Sequence, residues 1–166
     1  MKVAVATMFI ALALASVSKA DGFICTTPNG DLNVKVFDHV YSYLGTRNAA
    51  RMIVSNPQLE PGNRTLAVFS SEQGTLWNST NRGEYLTYTG HVDLRFNNIH
   101  KSQLILSEPV AKLYAVRLRV YFNYRKSHMR DGTPVFGALD LVTRRGRHIY
   151  SETSCTRYLK TPGGVE

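Results

Sequence analysis

From Lys112 to Tyr124, the residues Tyr114, Val116, Leu118, Val120, Phe122 and Tyr124 alternate with Ala115, Arg117, Arg119, Tyr121 and Asn123. Successive side chains on a strand point to opposite faces, so an alternation this long specifies an extended segment with one face buried and one face wet. A helix would wrap the same residues around its axis and carry the arginines into its apolar side. The buried face needs a second layer to cover it.

The rest of the chain repeats the pattern. Between Glu84 and Asn97, Leu86, Tyr88, Val92, Leu94 and Phe96 share one parity, and Thr87, Thr89, His91, Asp93 and Arg95 take the other. Gly90 interrupts this strand and is expected to mark a kink or bulge. The two long strands are expected to pair or to face each other across the core. Shorter strands are expected at Leu32–Phe37, Arg51–Ser55, Leu66–Ser70, Val135–Val142 and Arg147–Tyr158, separated by turn residues such as Pro61-Gly62-Asn63, Gln73-Gly74 and Asp131-Gly132. The last two form a hairpin around Arg144-Arg145-Gly146. Over Val36–Arg51 the spacing of Val40, Tyr43 and Leu44 lets a short helix compete with an extended segment, and periodicity alone does not decide. With no internal repeat or long linker, residues 21–166 form a single β-rich domain. Its expected fold class is all-β, an antiparallel β-sandwich or small β-barrel of seven to eight strands.

The first 20 residues have a different character. Lys2 precedes an apolar run from Val3 to Ala15, and Ser18-Lys19-Ala20 places small residues where a signal peptidase reads. A spanning helix needs about 20 apolar residues, and this run is broken by Ser16, Ser18 and Lys19. Cleavage before Asp21 and a secreted or periplasmic product are expected. No later stretch is apolar enough for an integral helical span in the mature chain. The chain's two cysteines, Cys25 and Cys155, then most simply form a disulfide that ties the first segment to the last.

Charge is unevenly spread. Residues 21–111 carry seven Lys/Arg against eight Asp/Glu, whereas residues 112–166 carry eleven against four. A local excess of cations marks a surface for an anionic partner, or merely a solvated face. On the wet parity of the longest strand, Arg117, Arg119, Tyr121 and Asn123 project in a row, followed by Arg125 and Lys126. Guanidinium groups engage phosphate or carboxylate bidentately and tyrosine stacks on a sugar or base, so these six are the ligand-binding candidates. The alternative is that the arginines pair with Asp93, Asp140 or Glu152 and keep the sheet soluble.

Catalytic signatures are missing from the sequence. There is no Gly-x-Ser-x-Gly elbow, and the serines are expected in polar turns such as Ser70-Ser71 and Asn78-Ser79-Thr80. No Gly-rich phosphate loop implies a nucleotide cofactor, and the five histidines lack metal-ligand spacing, His91 with Asp93 being the nearest approach. Asp38-His39 and His128 near Asp131 offer an acid beside a base; adjacent residues on a strand point to opposite faces, so Asp38 and His39 cooperate only if the chain turns there. Asn63-Arg-Thr and Asn78-Ser-Thr match glycosylation acceptors in form.

The stretch Ser154-Cys-Thr-Arg-Tyr-Leu-Lys160, whose cysteine answers Cys25, together with Gly45-Thr-Arg and His91-Val-Asp-Leu-Arg-Phe96, resembles small uncharacterised exported proteins of predatory Gram-negative bacteria. The resemblance implies a periplasmic or secreted location and no biochemical role. The expected function is therefore a non-enzymatic exported domain that binds an envelope component or another protein. One alternative is binding of an anionic polymer or nucleic acid through a basic C-terminal sheet face. The other is a hydrolase gathering His39, His91, Asp93 and His128 from loops.

Overall fold

A computed structural model describes residues 20–41, 48–81, 84–93, 95, 99–100, 103–122 and 128–160, leaving aside the side chains of residues 20, 39–41, 48, 81 and 160. The expected signal peptide lies almost wholly outside the described residues. The fold is all-β. Its strands are β1 (Ala20–Thr26), β2 (Asn33–Tyr41), β3 (Asn48–Ser55), β4 (Thr65–Ser70), β5 (Leu76–Asn81), β6 (Tyr85–His91), β7 (Leu104–Ile105), β8 (Glu108–Pro109), β9 (Leu113–Tyr121), β10 (Pro134–Thr143) and β11 (His148–Lys160). Nine of them form one sheet in the order β4-β3-β2-β1-β11-β10-β9-β6-β5, with every ladder antiparallel, and β7 and β8 make a small separate hairpin.

Sandwich and barrel are separated by how the two ends of this sheet meet. In an antiparallel order the first and ninth strands run the same way, so β4 and β5 have one direction. They are also consecutive in the chain. Across Ser71–Gly74 the strand passes from β3 to β6: the Ser71 amide donates to the Ala50 carbonyl and the His91 amide to the Thr75 carbonyl. Inside the excursion the Thr75 amide donates to the Ser70 carbonyl at 3.0 Å, and the Ser70 amide donates to Thr75 Oγ1 at 2.9 Å. Strands β4 and β5 therefore act as one broken wall member that joins both edges, and the sheet is a nearly closed barrel. A barrel with eight walls has an interior that side chains just fill.

Inward-facing residues do fill it. Phe23, Val34, Val36, Met52, Val54, Phe69, Tyr88, Leu118, Val120, Leu139 and Leu141 are all buried. Each large apolar side chain contributes on the order of 1.5–3 kcal/mol relative to exposure. The connection from β6 to β9 caps one mouth with Ile105 and Val110 and with Ile99, which bridges to Ala67 of β4. Polar groups occupy the other half of the interior. Asp38 accepts from Tyr88 Oη at 3.0 Å and Asn78 Nδ2 at 3.4 Å. Arg157, only 3% exposed, donates to the Gly22 carbonyl and to Asp21 Oδ2, both at 2.9 Å. Its guanidinium also lies 5.2 Å from the Phe23 ring centroid. Charge-assisted bonds and the ring face offset the desolvation of that buried cation.

Cys25 and Cys155 are direct cross-strand partners on β1 and β11 and form the expected disulfide, 2.02 Å between sulfurs. The expected pairing of the two long strands is also present, as the β6–β9 ladder.

Several expectations change. Eleven strands replace seven to eight, because β1, β5 and the β7–β8 hairpin were not foreseen. In β5, Asn78-Ser79-Thr80 is extended although it reads as turn chemistry; its residues are exposed, so no apolar alternation advertises the strand. The helix considered over Val36–Arg51 is absent where that segment is described, since Val36–Tyr41 belongs to β2 and Asn48–Arg51 to β3; residues 42–47 lie outside the described residues. The expected strand from Glu84 ends at His91, and Asp93 and Arg95 lie beyond it. In β9, Val142 faces Ala115 while Thr143 faces Leu113, so Tyr114 is the extra residue of a bulge. The bulge turns Tyr114 out to 51% exposure although its parity with Val116 places it in the core.

Gly90 is not a bulge: its pairs with Leu76 and Val116 are in regular register. It is a point of close approach, where a Cβ would lie 2.5 Å from Phe69 Cγ and 2.6 Å from Met52 Cε. Gly90→Ala is expected to destabilise the barrel by about 1–3 kcal/mol through overpacking at the seam, read as a lowered denaturation midpoint at unchanged slope. Replacing both cysteines by serine is expected to cost about 2–5 kcal/mol. Non-reducing mass spectrometry that found two free thiols would refute the pairing.

Candidate binding surface

The outward residues of β11, β10, β9, β6 and β5 form one wall, and ladder register places them in rungs. Phe136, Tyr121 and Tyr85 make the first rung, with ring centroids 5.7 and 5.4 Å apart. Ala138, Arg119 and Thr87 make the second. Tyr150, Asp140, Arg117, Thr89 and Trp77 make the third. Beyond it, His91 stands edge-on between Trp77 and Tyr114, at centroid distances of 4.7 and 5.2 Å.

Among the residues expected to bind ligand, Arg117, Arg119 and Tyr121 share this wall, whereas Asn123, Arg125 and Lys126 lie outside the described residues. The two arginines differ. Arg117 reaches Asp140 at 3.8 Å, and His148 Nδ1 meets the same carboxylate at 3.0 Å. Asp140 is buried, so these two partners offset the desolvation of its charge. Arg119 stands between Ala138 and Thr87 and makes no ion pair among the described residues. Of the two described arginines of the row, it is the one that remains available.

Sequence reasoning missed the aromatic flank. Trp77, Tyr114, Phe136 and Tyr150 are 53, 51, 51 and 66% exposed. For Phe136 and Tyr150 the signal was available, since each shares parity with polar outward neighbours, Asp140 and His148 respectively. Trp77 was hidden by the turn-like composition of β5, and Tyr114 by its bulge.

A second feature lies where β10 turns into β11. Gly146 takes positive φ, 77°, as the hairpin requires. Thr143 closes the turn with its amide to the Arg147 carbonyl and its carbonyl to the Gly146 amide, both at 2.9 Å. The Arg144 amide donates to the Lys112 carbonyl at 2.9 Å and Arg144 Nε to the Ala111 carbonyl at 3.3 Å. The turn is thereby fixed against the segment entering β9. Lys112, Arg144, Arg145 and Arg147 line a groove of about 500 Å³ together with Glu108, which pairs with Arg147.

The proposed acid–base residues do not converge. Asp93 bonds Arg95 at 2.6 Å, and that hydrogen bond holds its carboxyl below the usual range. His128 follows the far end of β9, whereas His91 faces Ala115 near its start, and six strand residues span about 20 Å. The side chain of His39 lies outside the described residues. Asp38 points into the barrel and bonds Tyr88, whose phenol is pushed well above 10.0, first by burial and then by the Asp38 carboxylate. Among the described residues no cluster of three His, Cys or carboxylate groups could hold a metal.

Burial, and secondarily the charge of Arg117, lowers the pKa of His91 from its ordinary 6.5. The folded state thus favours neutral His91, and its contribution to stability is present above pH 6.5 and lost as pH falls through the depressed folded value. NMR titration is expected to place the His91 midpoint below 6.5 and to show only partial recovery in Arg117→Gln, because burial is the larger cause. A midpoint at or above the ordinary value would contradict the packing described for this ring. Comparison with family models, with curated proteins and with solved structures found no match to the chain.

Proposed function

We propose that the mature chain is an exported, non-enzymatic barrel domain that binds an envelope component or another protein through the outer wall of β5, β6, β9, β10 and β11. The observation that carries this reading is the set of exposed rings, Trp77, Tyr114, Phe136 and Tyr150, around Arg119, which has no ion pair among the described residues, on one continuous wall. Tryptophan, tyrosine and arginine dominate the energetics of protein contacts because they bury a large area and keep a polar handle. A barrel wall holds them without the ordering cost that a loop would bear on binding.

Two further observations support it. The pairing of Asp93 with Arg95 and the length of β9 between His91 and His128 weigh against an acid–base mechanism. The disulfide-bonded β fold, in which no described helix is long and apolar enough to cross a membrane, is compatible with an extracellular or periplasmic location.

Site-specific photo-crosslinking in exporting cells tests the surface. A benzophenone side chain at Phe136 or Tyr150 is expected to give one discrete adduct, whose yield falls about tenfold when Arg119 is changed to Ala. The same group at Ile53, on the opposite wall, is expected to give none. Equal adducts from both walls, or no adduct from either, would remove this surface as the contact.

A further inference from the structure

The groove beside the β10–β11 turn concentrates positive charge in a concave place. Among the described residues, Lys112, Arg144, Arg145 and Arg147 share it with a single carboxylate, Glu108, which pairs with Arg147. Like charges held together destabilise a fold unless solvent or a ligand answers them, and concave walls focus their field. These cations are not on a loose tail: the hydrogen bonds of Arg144 to Lys112 and Ala111, and of Thr143 across the turn, set their backbone positions. On the outer wall His148 follows Arg147, its ring stacks at 5.8 Å on that of Tyr150, and it bonds Asp140 of the next strand.

We infer that this groove recognises an acidic glycan, with a sulfate or phosphate substituent seated among Lys112, Arg144 and Arg145. The inference rests on the reading of the chain as a binding domain and names its ligand class, and it moves the basic site from the sheet face to the turn. Guanidinium groups supply the planar, bidentate donors that such oxyanions accept. A carboxylate favours a sugar over a nucleic acid: Glu108 in the groove accepts hydrogen bonds from hydroxyl groups but repels a continuous phosphodiester backbone. A cavity of about 500 Å³ suits a short saccharide segment better than a protein surface.

Binding of the exported chain to immobilised heparin, a sulfated glycan, tests the inference. At low salt the wild type is expected to bind, with affinity falling steeply as salt rises. Changing Lys112, Arg144 and Arg145 to Gln is expected to weaken it at least about tenfold and to flatten the salt dependence. Changing Lys35, Arg51 and Arg64 on the far wall removes the same charge and is expected to leave affinity within about twofold. Arg145→Gln alone, in an exposed turn, provides a second variant that preserves the fold and is expected to lose about threefold. Absence of wild-type binding, or equal losses from the two triple variants, would overturn the site. Displacement of heparin by a single-stranded oligodeoxynucleotide as readily as by free heparin would overturn the glycan assignment. The crosslinks at Phe136 and Tyr150 are read separately, so failure of the groove and failure of the wall are distinguishable.

Discussion

The reciprocal bonds between Ser70 and Thr75 hold together a structure that otherwise has two open edges. An antiparallel sheet ends in rows of unpaired amides and carbonyls, which recruit other chains unless covered. Here one strand serves both edges, paired with β3 before its excursion and with β6 after it. The handover brings Phe69 and Met52 so close over β6 that Gly90 can carry no side chain. Closure also defines an inside, and only a defined inside makes the alternation of the other strands meaningful.

Once the barrel is closed, its two surfaces answer to different chemistry. The inner one is mostly aliphatic and aromatic, with the Asp38–Tyr88 and Asp21–Arg157 pairs as its polar exceptions. The outer one is divided. The β2 and β3 wall presents scattered Lys35, Arg51 and Ile53, whereas the β9 and β10 wall gathers rings, arginines and the buried Asp140. Compensation runs through that carboxylate: it holds Arg117 and His148 in place and leaves Arg119 without an ion pair among the described residues.

Much of this was legible because alternation directly reports sidedness. The rows Leu118–Val120–Phe122 and Arg117–Arg119–Tyr121 face as their parity requires, and the two cysteines of a chain expected to be exported point to each other. Three things were not legible, for physical reasons. At Tyr114, one inserted residue reverses parity at the bulge and nothing in the composition marks it. In β5, wet residues satisfy both a turn and an exposed strand. In the groove, Lys112 and the turn arginines lie more than thirty residues apart in the chain and meet only because the Arg144 amide finds the Lys112 carbonyl.

The disulfide has a mechanical consequence. Strands β1 and β11 are neighbours whose outer ends coincide, Ala20 opposite Lys160. Tension applied to the two ends of the domain therefore peels this ladder one pair at a time instead of shearing it. Peeling of the mature chain runs from Asp21 and Leu159 to Ile24 and Thr156, and then meets Cys25 bonded to Cys155. From there the load passes through a covalent bond, and the 130-residue loop between the cysteines, with the wall and the groove, bears none of it. A partner that tugs on a tethered copy would stretch a few residues of strand while the surface it holds keeps its shape.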